Sequence, residues 1–146
     1  MYELRTEIEI SASAEAVWDI LLDLPRHAEW NPFIRSISGE PAPGGTLKVT
    51  ICPPGGKPMG FSPRVLAAEP GRELRWLGRV LLPGLFDGEH YFMLEPAGEG
   101  RVRLVHGERF SGLLLPLLKR SLETGTRAGF EAMNQALKAR AEAAAV

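Results

Sequence analysis

His90, His106 and Glu108 are the side chains of this 146-residue chain whose types and spacing could do chemistry together. They sit on two alternating stretches, 85–95 and 101–110, joined by the turn-forming segment PAGEG. Phe86, Gly88, His90, Phe92 and Leu94 share one side of the first stretch; Val102, Leu104, His106, Glu108 and Phe110 share one side of the second. The apolar members make the even-numbered face the inward one. Opposed residues of an antiparallel pair point to the same face. With Glu95 placed opposite Arg101, His90 meets His106 across the pair and Glu108 lies diagonal to His90.

Three polar side chains pointing inward need partners, because an unpaired carboxylate out of water is costly. Three readings stay open. The group is a hydrogen-bonded structural cluster, or a set of polar anchors in an apolar pocket, or a metal or acid–base site, since two histidines and a carboxylate compose a facial metal triad. As an acid–base site, His90 or His106 would take a proton beside a carbonyl and Glu108 would orient it. No metal is expected, as nothing nearby supplies outer-shell support. No cofactor is expected either: a phosphate loop, a dinucleotide glycine pattern, a nucleophile elbow and an HExxH motif are all missing. Cys52 is the one cysteine and reads as an incidental thiol.

The elements that must position these residues follow from periodicity. Residues 1–10 alternate and read as a strand. Ser11 or Ser13 caps a helix whose apolar side is Ala16, Val17, Ile20, Leu21 and Leu24, ending at Pro25. A short helical turn covers 26–30. Strands are then expected over 33–40, 46–52, 59–69 (with Pro63 marking an edge or a bulge), 72–78, 85–95 and 101–110. The stretch 80–84 reads as a loop over a cavity mouth. From Pro116 to Ala145 one helix about 40 Å long is expected. Its inward stripe is small-sided at Gly125, Gly129, Ala132 and Ala136. Either the sheet approaches it closely, or room is left there for a ligand.

Apolar residues make up 45% of the chain and charged residues 24%, the balance of an ordinary globular protein. A net charge of −1 argues against a nucleic-acid partner. Residues 1–10 do not read as a signal peptide, and the longest apolar run is too short to span a bilayer, so a cytoplasmic protein with no integral membrane segment is expected.

The segments Ile10–Trp18 (ISASAEAVW), Glu29–Ile34 (EWNPFI), Glu73–Trp76 (ELRW), Gly88–Phe92 (GEHYF) and His106–Gly112 (HGERFSG) occur in an order that resembles the START-like, or SRPBCC, superfamily, in its polyketide cyclase/dehydrase-like branch. The resemblance implies an α+β helix-grip fold as one domain over 1–146. A curved seven-stranded antiparallel sheet would wrap a long C-terminal helix, with two short helices after the first strand. It implies a cavity for an apolar small molecule such as a lipid or polyketide. The expected lining is Trp30, Trp76, His90, Phe92, His106, Glu108, Phe110, Gly129 and Met133. A cyclase or dehydratase using a cavity histidine as base is the alternative; a protein-interaction module, as in the related co-chaperones, is a weaker one.

Overall fold

The structure, a computed structural model, describes residues 1–80 and 82–144. Leu81 in the expected mouth loop, and the Ala145 end of the expected terminal helix, lie outside the described residues. Strand β1 (Tyr2–Ile10) buries Leu4, Thr6 and Ile10 and turns its acidic residues outward. Helix α1 (Ala14–Leu22) starts at Ser13, whose hydroxyl accepts from the Ala16 N–H at 3.1 Å. A 3₁₀ turn at Leu24–Arg26 leads into the single-turn helix α2 (His27–Trp30).

Six of the remaining strands fall near the expected spans: β2 (Ile34–Gly39), β3 (Leu47–Ile51), β5 (Arg64–Glu69), β6 (Glu73–Arg79), β7 (Asp87–Pro96) and β8 (Val102–Ser111). The span 59–69 divides, because β4 (Met59–Phe61) ends just before Pro63. Proline has no N–H for a ladder. Its carbonyl instead accepts from Leu47 N–H at 2.9 Å. The described strands therefore form a five-stranded antiparallel sheet, β1-β8-β7-β6-β5, and a three-stranded one, β2-β3-β4. Bonds between Val65 and Gly44–Gly45 tie the two together.

The β7–β8 register differs from the expected one by two residues. Pro96 pairs with Val102, so Phe92 faces His106 and His90 faces Glu108. The reason is the turn: Gly98 and Gly100 both take positive φ, and Arg101 N–H bonds the Gly98 carbonyl, closing the reversal around 98–101 rather than one residue earlier. A two-residue shift preserves the side-chain face, so the inward set is unchanged.

The terminal helix is not continuous. Helix α3 (Leu115–Ser121) and helix α4 (Arg127–Ala144) flank a π-helical turn at Leu122–Thr126. Thr124 Oγ1 donates back to the Arg120 carbonyl, and Gly125 has low helix propensity. The Arg127 N–H then reaches the Leu122 carbonyl five residues back. Beyond the break, α4 packs solidly on β1, β8 and α1 through Phe130, Met133, Leu137 and Ala141. The missing side chain of Gly129 is replaced by a ring. A methyl there would strike the Phe33 ring. Phe33 thus takes the space that was a candidate for a ligand.

Candidate ligand-binding site

Space is left instead at the end of the fold where the helix breaks. A cavity of about 190 Å³ lies between the two sheets and under the π turn. Its walls are mostly apolar: Phe33, Ile34, Ile51, Phe61, Trp76, Phe86, Phe110 and Leu122. Met59 and Val80 stand on its rim, Met59 57% exposed. Its polar groups are His90, Glu108, Thr126 and Arg79.

Phe33 and Ile34 reach it through the irregular segment after α2. His27 Nε2 bonds the Leu21 carbonyl at 2.8 Å, and a carbonyl only accepts, so the proton is on Nε2. The bare Nδ1 accepts from Asn31 Nδ2, and Asn31 Oδ1 accepts from the backbone N–H groups of both Phe33 and Ile34 at 2.9 Å. Asn31 therefore fixes the turn that aims two cavity walls.

Of the nine residues expected to line the site, Trp76, His90, Glu108 and Phe110 do so. The other five do not. Trp30 packs against the core and on His27, with ring centroids 4.9 Å apart. Phe92 and Met133 are core residues, and Gly129 is occupied against Phe33. His106 is wholly buried beneath His90. The lining residues missed include Phe33, Ile34, Ile51 and Phe61, at strand ends and in irregular stretches where alternation gives no inward direction, and Phe86 and Leu122, whose elements were expected but whose facing onto a cavity depends on tertiary packing.

Behind the cavity wall runs a chain of polar contacts. His90 Nδ1 lies 3.2 Å from Glu108 Oε1, and His90 Nε2 bonds His106 Nε2 at 2.8 Å. His106 Nδ1 bonds Asn134 Oδ1 at 2.8 Å; Asn134 Nδ2 donates to Thr6 Oγ1, which donates to the His106 carbonyl. The three groups expected as a triad do not converge on one point: His90 stands between the other two, with a nitrogen turned to each. Asn134 was not among the expected site residues, yet the signal was available. It falls four residues after Phe130, a polar residue within an apolar stripe.

His106 is held well below the ordinary histidine range, first by complete burial and then by its His90 neighbour; the Asn134 bond opposes both. Burial also lowers His27, against its Leu21 bond and Asp23. Both are lowered relative to the unfolded chain, so unfolding takes up protons below about pH 6.5. Stability is complete above that pH and falls as the pH drops through it. Denaturant melts from about pH 7.5 to 5 are expected to show a loss approaching about 1.4 kcal/mol per pH unit from His106, with a smaller part in the same direction from His27. A flat profile would contradict the buried neutral state.

The convex face carries the charges. Arg75 bonds Glu73 and Glu89 at 2.9 and 2.7 Å and lies over the Tyr91 ring. Tyr91 donates to Glu3 at 2.6 Å, and its hydroxyl is pushed up to about 12 by burial and by that carboxylate. Among the described residues none of these charges reaches Glu108, whose one ion-pair contact is His90.

The comparisons with known proteins agree with this architecture. The family model described as polyketide cyclase / dehydrase and lipid transport matches residues 1–142. The chain belongs to that family. Solved structures similar to its START-like helix-grip fold include the Zhui aromatase/cyclase from Streptomyces sp. R1128, with TM-score 0.82 and 16% identity over 99% of this chain and 96% of that one. A START superfamily protein from Mycobacterium smegmatis superposes with TM-score 0.73 and 21% identity over 99% of both chains. The di-domain ARO/CYC BexL of the BE-7585A biosynthetic pathway matches at TM-score 0.73 and 14% identity; the alignment covers 94% of this chain but only 46% of that one. Identities this low describe a shared fold. No curated protein matches the sequence. Among the described residues no helix is long and apolar enough to cross a membrane.

Proposed function

We propose that this family member binds an apolar small molecule in the cavity beneath the π turn. The observation that carries the reading is the wall itself: apolar and aromatic side chains line most of the space, with a few polar groups, His90 and Glu108 among them. Such a lining is what small-molecule sites have in common. The space is smaller than the usual 300–1,000 Å³ and nearer a roughly 150 Å³ cavity that accepts benzene. A ring-sized ligand, or one ring of a longer molecule, suits it better than a whole lipid.

Two of the structural relatives named above are aromatase/cyclases. A reaction of that class would need a base facing the cavity. Both His90 nitrogens are engaged by neighbours, and His106 does not reach the wall. A histidine base therefore has no support from this geometry, and binding without turnover is the better-supported reading.

The test is calorimetry with single-ring apolar probes such as 4-ethyltoluene, with native mass spectrometry of the purified protein for a retained small molecule. Saturable one-site binding is expected. Absence of both a retained molecule and probe binding would remove the proposal.

A further inference from the structure

The polar chain behind the cavity has a direction, and it can be worked out from its buried end. A backbone carbonyl only accepts, so the single hydrogen of Thr6 Oγ1 goes to the His106 carbonyl, 2.7 Å away. Thr6 Oγ1 must then accept from Asn134, which puts the amide NH2 on that side and the amide oxygen toward His106. His106 Nδ1 therefore carries a hydrogen. A neutral imidazole has one, so His106 Nε2 is bare and the bond at 2.8 Å must come from His90 Nε2–H. His106 is 0% exposed and has no ion-pair partner among the described residues, which is why it stays neutral.

One contact is left to settle. His90 Nδ1 and Glu108 Oε1 stand 3.2 Å apart. With His90 already donating through Nε2, a neutral ring presents a lone pair to Glu108, and a bare carboxylate would answer it with another. One proton between them removes the conflict, whether it rests on the nitrogen or on Oε1. Either way the pair has no net charge, which suits a cavity walled by Trp76, Phe86 and Phe110. Glu108 Oε2 has no bond to any described side chain. It lies over Gly88, also a wall residue, where a side chain would strike it. In either placement of the proton, Oε2 is an acceptor.

Resting on the cavity-binding reading above, we infer that the buried relay Thr6–Asn134–His106 locks His90 and Glu108 into a neutral pair sharing one proton, and that the site takes a neutral ring compound bearing a hydroxyl donor, of the phenol class. Glu108 is the group that meets the ligand. Asn134 and His106 are positioning residues. A bare carboxylate in the same place would select a cation instead.

Nitrogen NMR of the free protein near neutral pH tests the relay without any ligand. His106 is expected to be protonated at Nδ1 and His90 at Nε2; a proton on His106 Nε2 would overturn the relay. Calorimetry tests the ligand class with three probes of about nine non-hydrogen atoms, sized for the cavity: 4-ethylphenol, 4-ethyltoluene and 4-methylbenzylammonium. The phenol is expected to bind roughly tenfold more tightly than the hydrocarbon, the worth of one added hydrogen bond, and more tightly than the ammonium. A tightest-binding ammonium, or no preference for the phenol, overturns the assignment.

Asn134→Leu removes the acceptor that orients His106. The chain can then reverse, with His90 Nδ1–H donating to a charged Glu108. The expected result is a His106 proton moved to Nε2 and a roughly tenfold shift of selectivity from phenol toward ammonium; unchanged selectivity in a folded variant overturns the relay. Glu108→Leu should abolish the phenol preference, and it serves with the wild-type NMR if Asn134→Leu does not fold. If none of the probes binds, the cavity function and the ligand class fall together, while the NMR arm still decides the proton relay.

Discussion

Truncating Phe130 to alanine is expected to lower stability by about 3–5 kcal/mol, the range for deleting a buried aromatic side chain. The ring is 0% exposed and is shared by three neighbours. It stacks on His106 with centroids 4.1 Å apart and planes 13° from parallel, lies 5.0 Å from His90, and meets Phe33 edge-on at 5.5 Å. Phe33 in turn fills the notch of Gly129 and forms part of the cavity wall. Removing Phe130 therefore opens a hole between the helix and the site. For a chain of this length the melting midpoint should fall by on the order of 10 °C. The desolvation that depresses His106 would also be relieved. The acid-side loss of stability should become shallower in the variant, since the folded protein could then accept the proton. A midpoint within about 2 °C of wild type would show that the ring is not what holds these elements together.

The second large effect is on binding. Ile51→Trp is expected to weaken a ring-sized probe at least about 100-fold, or about 2.7 kcal/mol, with the melting midpoint unchanged or raised. Ile51 lies at the end of β3, lines the cavity and is only partly buried. An indole entering from there would occupy much of a space of about 190 Å³. It would leave the Ile34–Ile51 backbone pairing intact, and filling a void removes a cost rather than adding one. Calorimetry and a thermal melt on the same preparation separate the two consequences. Undiminished affinity in a stable variant would place the ligand elsewhere on the protein. Lost affinity with a collapsed melting point would mean only that the fold had been damaged, in which case the smaller Ile51→Phe change repeats the measurement.

The sequence alone determined which faces of the strands turn inward. The even-numbered side chains of β7 and β8 are buried together because side chains alternate with period two, and a period is a local property. That is why the inward placement of His90, His106 and Glu108 survived a two-residue difference in register. The resemblance to START-like proteins also implied the helix-grip architecture, although the buried stripe of α4 runs through Phe130, Leu137 and Ala141 beside Gly129 and Met133, and the expected Ala132 and Ala136 are only half-buried. What only the tertiary structure decided was how those inward groups meet and where space remains. Register depended on how Gly98 and Gly100 close a turn, and the helix broke where a threonine hydroxyl and a glycine could free a backbone turn. The notch at Gly129 and the ring of Phe33 lie almost a hundred residues apart in the chain, so nothing local says that one fills the other. Asn134, Thr6 and His106 likewise come from three elements, and the direction of their hydrogen bonds exists only once those elements are packed. A periodic pattern records which side of an element avoids water; complementarity between distant surfaces sets which atoms touch, and a cavity is where that complementarity stops.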